Sequence, residues 1–338
     1  MKTLKILLLI SLLTYMGCQN MEKDFPDFDY TTTYFPYQYP VRTIVLGDYI
    51  YDNSNDNSHK FLISAAMGGV YDNTKDRIIH IATDENLCNN LLFSEKGDTI
   101  RCMPKEYYSI VSDKIIIPKG KYHGGVEVEL KDAFFNDPAS IHLKYVIPVK
   151  IIKAENIDSV LVGYSLLPDP DPRNPLDWNI TPKDYTLFAV KYINPYHGKY
   201  LHKGISVTKD ESGTVLEEKV YHAAHTEQNE IWKLSTLNLN TTTLKEGMHS
   251  SYMKQPFELE LKFEDDGNLT VREPFGAPYT ATGRGKFVKN NEEWGNKKRN
   301  AIYMEYEIKN GIYIYSAKDT LIVRDRDVKM ETYNPSLF

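Results

Sequence analysis

Short runs of β-branched and aromatic residues follow one another through the 338-residue chain and constrain its fold more than any other feature. From Tyr185–Ile193 onward a long series of such runs is separated by turn pairs such as Asp266-Gly267, whose residues tolerate the positive φ of tight hairpins. Residues 302–308 alternate apolar and polar side chains, which indicates a sheet with one wet face. Many antiparallel strands in sequence most simply close into an up-and-down barrel, because closure removes the exposed edges.

The first half of the chain carries strand-like runs at a different spacing. Between residues 115 and 152 they recur about every ten residues between turn signals, which is typical of a β-sandwich. The Pro-rich residues 161–178 cannot continue a helix or a central strand and predict a stiff linker. We therefore expect a two-domain all-β protein with a sandwich at residues 30–160, this linker, and a barrel at residues 179–338.

The N-terminal segment has the composition of a secretion signal. Lys2 and Lys5 precede an apolar run at residues 6–13, which is shorter than the about 20 apolar residues of a membrane-spanning helix. A small residue and Cys18 follow, as a lipoprotein signal peptidase requires, although Tyr15 stands where leucine is usual. This pattern predicts cleavage of the segment.

Two interpretations of the cleavage stay open. In the first, residues 1–17 are a lipoprotein signal peptide, Cys18 is lipidated and residues 18–29 form a tether. Each acyl-chain methylene buried in a membrane contributes about 0.8 kcal/mol of binding free energy, so two or three acyl chains would anchor the protein stably. In the second interpretation the protein is simply secreted and the position of the cysteine is incidental.

Charge excludes one class of partner. The net charge is −6, and the chain has no long basic stripe, which argues against binding to nucleic acid. The 25 tyrosines suit either a β-rich protein or a surface with many sugar-stacking platforms.

Cys88 and Cys102 are the cysteines that remain once Cys18 is assigned to lipid. A disulfide between them would close a loop of about 15 residues and add about 3 kcal/mol in the chain-entropy model. Two buried free thiols also fit the sequence, because nothing in it fixes the Cα separation.

No set of residues predicts catalysis, a metal site or a cofactor. Glu217 and Glu218 are adjacent, so on a strand their carboxylates face opposite ways and do not form a glycosidase pair. His222 and His225 lack a third ligand nearby, and a zinc site needs three or four. We therefore expect no catalytic residue, no metal and no cofactor, in a protein that is not an enzyme.

The three tryptophans are the candidate ligand-binding residues, since flat aromatic faces stack on sugar rings. Trp294 lies in a polar stretch with few apolar neighbours, which predicts an exposed sugar platform. Trp232 stands beside Ile231 at the start of a strand, which favours the core instead. Trp178 lies at the end of the Pro-rich stretch, where packing of the domain junction is the simpler role.

Several separated motifs agree in order with a known family. Those at residues 34–43, 46–48, 67–73 and 104–108 resemble the N-terminal immunoglobulin-like domain, of unassigned function, of Bacteroidales surface lipoproteins. Those at residues 177–178, 185–194, 197–200 and 321–326 resemble the calycin-like β-barrel domain, also without an assigned chemistry, that often follows it.

This resemblance implies an immunoglobulin-like β-sandwich followed by an antiparallel calycin- or lipocalin-like β-barrel. It also implies a polysaccharide-utilisation locus with a SusC/SusD-type outer-membrane complex as a further partner. It transfers no catalytic residue.

We therefore expect a non-catalytic cell-surface glycan-binding lipoprotein that takes up an oligo- or polysaccharide. A lipid anchor would hold it in the outer membrane, facing the cell exterior. The alternatives are an adhesin or structural accessory subunit that binds a protein partner, and a glycoside hydrolase with an unrecognised carboxylate pair.

Overall fold

The computed structural model describes residues 27–338. The predicted signal peptide at residues 1–17, the lipidation site Cys18 and most of the tether lie outside these residues. In the described part of the chain, no helix is both long enough and apolar enough to cross a membrane.

The first part of the described chain folds into short strands joined by turns and brief helical segments. The strands are β1 (Thr32–Tyr34), β2 (Pro40–Val45), β3 (Lys60–Gly68), β4 (Arg77–Thr83), β5 (Leu91–Leu92), β6 (Arg101–Cys102), β7 (Tyr108–Ile110), β8 (Lys114–Ile117), β9 (His123–Leu130), β10 (Tyr145–Glu155), β11 (Ser159–Val160) and β12 (Tyr185–Ile193). The helical segments are the α-helical turns Ser54–Asn57 and Asp132–Asn136 and the 3₁₀ turns Glu85–Cys88, Pro138–Ile141 and Pro175–Asp177.

Two sheets formed by these strands make a sandwich. One sheet has the order β11-β1-β3-β9-β7, and the other contains the run β2-β12-β10-β4-β8. Alternate residues of each strand turn toward the partner sheet, as Phe61 and Ile63 of β3 and Ile79 of β4 do, and all three are buried. Removing each such side chain from water stabilises the fold by about 1.5–3 kcal/mol, which holds the two layers together.

A smaller apolar cluster covers the outer face of the second sheet. It includes Leu91, Leu187 and Tyr333, all buried. Cys88 and Cys102 lie at this cluster and are joined by a disulfide, with their Cα atoms 5.9 Å apart. The disulfide thus ties the 3₁₀ turn after β4 to strand β6.

The second part of the chain forms a closed barrel. Its strands are β13 (Gly198–Asp210), β14 (Val215–Tyr221), β15 (Glu230–Thr236), β16 (Thr241–Gly247), β17 (Pro256–Phe263), β18 (Asn268–Arg272), β19 (Thr280–Trp294), β20 (Lys297–Asn310) and β21 (Tyr313–Asp325), with a 3₁₀ turn at Thr226–Gln228. The long strand β13 pairs with β15 along one edge and with β21 along the other, which closes a ring of eight antiparallel strands. Strand β14 pairs with the remaining part of β13.

Apolar side chains fill the barrel. On β20, Ile302, Met304 and Tyr306 point inward and are buried, while Tyr303 and Glu305 are partly exposed. The predicted alternation along this strand is confirmed. So is the predicted fold class, an all-β protein in which a sandwich is followed by a closed antiparallel barrel.

Strand pairing moves the domain boundary away from its predicted position between residues 178 and 179. Strand β12, expected to open the barrel, instead lies between β10 and β2 in the sandwich. The Pro-rich residues 161–178 are therefore a loop of the sandwich. The Tyr185 hydroxyl of β12 donates to the Pro172 carbonyl of this loop at 2.8 Å. The reason is that β12 is buried on both faces, so it needs a sheet covered on both sides.

The chain returns to the sandwich after the barrel. Strands β22 (Glu331–Thr332) and β23 (Ser336–Leu337) pair with β2 and β5. The Tyr333 hydroxyl donates to the Leu187 carbonyl of β12 at 2.8 Å. The barrel is consequently held at both its entry and its exit by strands of one sandwich.

The disulfide gives a first prediction about stability. Replacing both Cys88 and Cys102 with alanine should lower the unfolding free energy of the sandwich by about 3 kcal/mol, because the unfolded chain regains the freedom of the closed loop. Urea unfolding followed by circular dichroism measures this. Dithiothreitol should shift the wild-type midpoint to that of the variant and leave the variant unchanged. Equal midpoints for the wild-type protein and the variant, both measured without dithiothreitol, would contradict the prediction.

Candidate functional site

A cleft of about 970 Å³ lies between the sandwich and one end of the barrel. The sandwich contributes the loop after β2, within residues 47–57. The barrel contributes the end of the β19–β20 hairpin, within residues 289–300, and residues 323–329, which span the end of β21 and the segment that follows it. Clefts of this size at domain junctions are common ligand sites, so this is the candidate functional site.

Arg326 joins the two domains at this cleft. Its guanidinium donates to four backbone carbonyls, those of His197 (2.8 Å), Asp48 (2.7 Å), Leu46 (3.0 Å) and Asn194 (2.6 Å). Leu46 and Asp48 belong to the sandwich side and His197 leads into the barrel. Burial lowers the pKa of this guanidinium from its ordinary value, and the four carbonyls supply the acceptors that a buried arginine needs.

Asp48 makes a second link across the junction. Its carboxylate lies 3.1 Å from the Lys289 ammonium and accepts from the Asn300 amide at 3.1 Å, both on barrel strands. Burial alone would raise the pKa of Asp48, but the contacts with Lys289 and Asn300 lower it. Next to it, Gly47 has φ of +80°, and a Cβ there would lie 2.6 Å from Pro195. Only glycine lets this loop approach the segment between the domains so closely.

The cleft is cationic although the whole chain has a net charge of −6. Three carboxylates line it, and more than twice as many cationic side chains do. The cationic side chains are those of Lys289, Lys297, Lys298, Arg299, Arg324, Arg326 and Lys329, and the acidic ones are those of Asp48, Asp325 and Asp327. Such a local excess attracts anionic ligands.

Asp327 is held as a carboxylate by two lysines. The ammonium groups of Lys199 and Lys233 lie 2.6 and 2.7 Å from its two oxygens. Burial alone would raise the pKa of Asp327, but these lysines lower it to about 2. A glycosidase acid needs a raised pKa to protonate the leaving oxygen, so neither Asp327 nor Asp48 is suited to that role.

The sandwich loop places aromatic and aliphatic surface beside these charges. Tyr49 lines the cleft and packs edge-on against Tyr51, with ring centroids 5.5 Å apart. Ile50 and Tyr51 are 77% and 68% exposed. The Asn53 amide fixes the loop by donating to the Gly47 carbonyl at 2.7 Å. The loop therefore presents ordered apolar faces to solvent at the mouth of the cleft.

Trp294 does not form the free platform that the sequence predicted. It ends β19 just before a two-residue turn, Gly295-Asn296, and its ring is half-buried. Its indole donates to the Val323 carbonyl at 3.2 Å, and the Arg299 guanidinium stacks over its ring at 4.1 Å from the centroid. Because Arg299 and Val323 line the cleft, Trp294 supports the cleft wall from behind.

The other two tryptophans lie elsewhere. Trp232 is 3% exposed inside the barrel, where it stacks on His202 with ring centroids 3.4 Å apart. Trp178 is half-buried, donates to the Asp171 carbonyl at 2.7 Å and packs against Gly163 within the Pro-rich loop. Neither side chain lines the cleft, because one belongs to the barrel core and the other to the sandwich surface.

A polar cluster inside the barrel escaped the sequence analysis. The Glu230 carboxylate lies 2.5 Å from His202 Nδ1 and 2.6 Å from His249 Nε2. Burial alone would raise the pKa of Glu230, but these two histidines lower it to about 2. The other nitrogen of His202 lies 3.2 Å from a buried carboxylate oxygen of Asp319. Among the described residues, His202, Glu230 and His249 are the best placed to hold a metal.

No local signal in the sequence marks these residues. Arg326 and Asp327 stand in an alternating run of charges that looks like the wet end of a strand, and Asp48 is more than 240 residues away from Lys289 along the chain. The histidines and the glutamate come from two strands and a loop. Only the strand pairing brings either set together.

Comparisons with known proteins agree with this two-part architecture. Residues 195–327 match a family model described as a domain of unknown function, DUF5627, and residues 28–158 match a family model described as an N-terminal domain. The solved structure of a protein of unknown function from Bacteroides ovatus is 37% identical and covers 92% of this chain and 100% of its own, with a TM-score of 0.86. The chain belongs to the same family as that protein.

More distant structures add nothing to this assignment. Another Bacteroides ovatus protein of unknown function is 17% identical over 89% of this chain and 99% of its own, with a TM-score of 0.40. An auxiliary nutrient binding protein from Bacteroides thetaiotaomicron is 14% identical over 86% of this chain and 95% of its own, also with a TM-score of 0.40. No curated protein matches the chain.

The Arg326 contacts give a prediction about the coupling of the domains. Arg326→Met should lower the unfolding free energy by at least about 2 kcal/mol, because the carbonyls it leaves behind are buried without a donor. Differential scanning calorimetry should show the transitions of barrel and sandwich moving apart. Arg324→Met, two residues earlier and exposed, is the matched control and should change stability by less than about 0.5 kcal/mol. Identical thermograms for the two variants would show that Arg326 does not couple the domains.

His197 gives a prediction about pH. Its Nδ1 accepts from the Thr236 amide at 3.1 Å, and burial, with Arg326 and Lys233 nearby, lowers its pKa to about 4. An unfolded histidine has a pKa of about 6.5, so the unfolded state binds more protons and stability falls as pH drops from about 6.5 to 4. His197→Asn keeps an acceptor and should flatten this part of the curve in urea unfolding. An unchanged slope would contradict the assignment.

Proposed function

We propose that this protein is a non-catalytic glycan-binding protein and that the cleft between its domains takes an acidic oligo- or polysaccharide. The observation that carries this proposal is the cationic excess of the cleft on a chain of net negative charge. Carboxylate or sulfate groups on a sugar chain would complement it. A neutral glycan would leave those charges without partners.

The unpaired cations of the cleft are the groups best placed to bind such anions. Lys297 and Lys329 have no carboxylate within ion-pair distance among residues 27–338, and both are exposed. Arg299 lines the cleft, and its guanidinium is held over the Trp294 ring. A planar guanidinium held in this way binds carboxylate or sulfate in a defined orientation.

Amides and aromatic faces complete the set of groups that sugars require. Asn290 lines the cleft beside Tyr49, while the amides of Asn53 and Asn57 are bonded to the backbone at Val45 and Gly47 and hold the loop. Amides bond the hydroxyl edge of a sugar, while an aromatic face packs on its apolar side. Tyr49 and Tyr51 on the sandwich loop therefore replace the predicted Trp294 as the candidate stacking residues.

A binding role also fits the chemistry of the cleft carboxylates better than hydrolysis does. Asp48 and Asp327 both have lowered pKa values, whereas glycoside hydrolysis needs one carboxylic acid that stays protonated near neutral pH. We propose capture without turnover. Lipidation at Cys18 and display on the outer membrane belong to the same proposal, since many copies on one surface would raise the avidity of weak sites.

The test is a binding titration of the mature chain. Oligogalacturonate (carboxylated), a chondroitin sulfate oligosaccharide (sulfated) and dextran (neutral) would be compared by isothermal calorimetry, with product analysis in the same samples. We expect one or both acidic glycans to bind, with an affinity that falls as salt rises, and no product. Binding of dextran alone, or release of product, would overturn the proposal.

Substitutions locate the site. Lys297→Ala and Arg324→Ala should each weaken binding of the acidic glycan about 2- to 5-fold, since exposed charge contacts contribute about 0.5–1 kcal/mol. Lys318→Ala is the matched control, because Lys318 is an exposed lysine on the barrel strand β21 outside the cleft. Equal weakening by all three variants would indicate a general charge effect and contradict a site in the cleft.

A second candidate function, docking on a protein partner, is favoured by the surface of the Pro-rich loop. Six apolar side chains between residues 162 and 180 are more than half exposed, and Leu176 is 93% exposed. Exposed apolar patches of this kind mark interaction sites. If no glycan binds in the titration, this surface becomes the leading candidate, and the partner would be another outer-membrane protein.

A further inference from the structure

We propose that His202, Glu230 and His249, the polar cluster inside the barrel, bind a divalent transition-metal ion of the zinc class. Each of the three residues offers one ligand atom, and these atoms all lie within 4.8 Å of one another. Two imidazole nitrogens and one carboxylate oxygen form a donor set that zinc accepts, with a fourth position left for water or another ligand. The site is separate from the proposed glycan cleft.

The three ligands come from elements that differ in rigidity. His202 lies on β13, Glu230 begins β15, and His249 lies in the loop between β16 and β17. The His202 side chain is fully buried and stacks on Trp232, whereas the side chains of Glu230 and His249 are 42% and 25% exposed. One ligand is thus fixed by the core, and the other two face the route by which an ion would enter.

The spacing of the ligand atoms is close to what an ion requires. Zinc bonds of about 2.0–2.1 Å in tetrahedral geometry hold neighbouring ligand atoms about 3.3 Å apart. In the structure the Glu230 oxygen lies 2.5 and 2.6 Å from the two histidine nitrogens. An outward shift of about 0.7 Å, which the partly exposed glutamate and the loop histidine can make, would admit the ion.

A buried carboxylate stands behind the fixed histidine. Asp319 lies 3.2 Å from His202 Nε2, and the hydroxyls of Tyr221 and Tyr306 donate to its two oxygens. Metal-bound histidines regularly place their second nitrogen against a carboxylate, which fixes the tautomer and the ring orientation. Asp319 Oδ1 and His202 Nε2 are close but do not form a hydrogen bond in the structure. His202 Nε2 is therefore buried without a hydrogen-bond partner. A small rotation of the ring on metal binding would align the two.

Gly204 leaves the space that this arrangement requires, because any larger residue would place a Cβ there. A Cβ at Gly204 would lie 2.2 Å from an Asp319 carboxylate oxygen and 2.8 Å from the Tyr221 ring. Tyr221 in turn stacks on the ring of His249, with centroids 3.8 Å apart. Gly204, Asp319 and Tyr221 therefore orient both histidines while contributing no ligand atom themselves.

The test uses Co²⁺ as a spectroscopic probe and the mature chain without a polyhistidine tag. We expect one Co²⁺ per chain, with the strong visible absorption of a four- or five-coordinate ion, and displacement by Zn²⁺. His249→Ala should weaken Co²⁺ binding at least about 100-fold, because even an outer partner of a ligand is worth about 10- to 100-fold. Circular dichroism checks that this loop variant is folded.

His222→Ala is the matched control, because His222 is an exposed histidine of the same barrel whose Nδ1 lies 3.1 Å from the neighbouring Ala223 carbonyl. It should bind Co²⁺ like the wild-type protein. Asp319→Asn should weaken Co²⁺ binding about 10- to 100-fold if Asp319 orients His202. The proposal is overturned if the wild-type protein gives only the weak spectrum of a six-coordinate surface ion, or if His249→Ala and His222→Ala bind Co²⁺ equally.

Discussion

One buried guanidinium determines how the two domains of this protein sit together. Arg326 is 7% exposed and donates to four carbonyls, some in the sandwich and some at the entry to the barrel. A buried cation is costly unless every donor finds an acceptor, so the relative position of these carbonyls is fixed wherever the arginine stays buried. The cleft follows from that constraint, because its walls belong to different domains and keep their separation only while the junction holds.

The junction also explains the electrostatics of the cleft. Lysines and an amide of the barrel contact the carboxylates of Asp48 and Asp327. These contacts offset much of the negative charge that the lining would otherwise present. Lys297 and Lys329 then face solvent without such partners. A surface of this kind suits recognition of an anionic polymer, where affinity comes from several modest contacts and is adjusted by salt. It is poorly suited to acid catalysis, which needs a protonated carboxyl group.

Sequence patterns predicted which segments form strands better than they predicted which strands pair with each other. Alternation on β20 and the hairpin pairs gave the barrel, because burial of one face imposes a period of two. Strand β12 was assigned to the barrel because periodicity does not say which sheet a strand joins, although its nearly continuous apolar run was a sign of burial on both faces. Trp294 was expected to be exposed because its neighbours in sequence are polar. Contacts with Val323 and Arg299, which lie close only in the fold, cover it.

Hydrogen–deuterium exchange with oligogalacturonate directly tests the proposal that an acidic glycan binds between the two domains. Binding in the cleft should slow exchange at residues 47–57, 289–300 and 323–329 together, because both domains line the cleft. Exchange elsewhere in the barrel, including β14 and β18, should not change. Protection confined to one domain, or centred on the Pro-rich loop at residues 161–178, would contradict a glycan site between the domains.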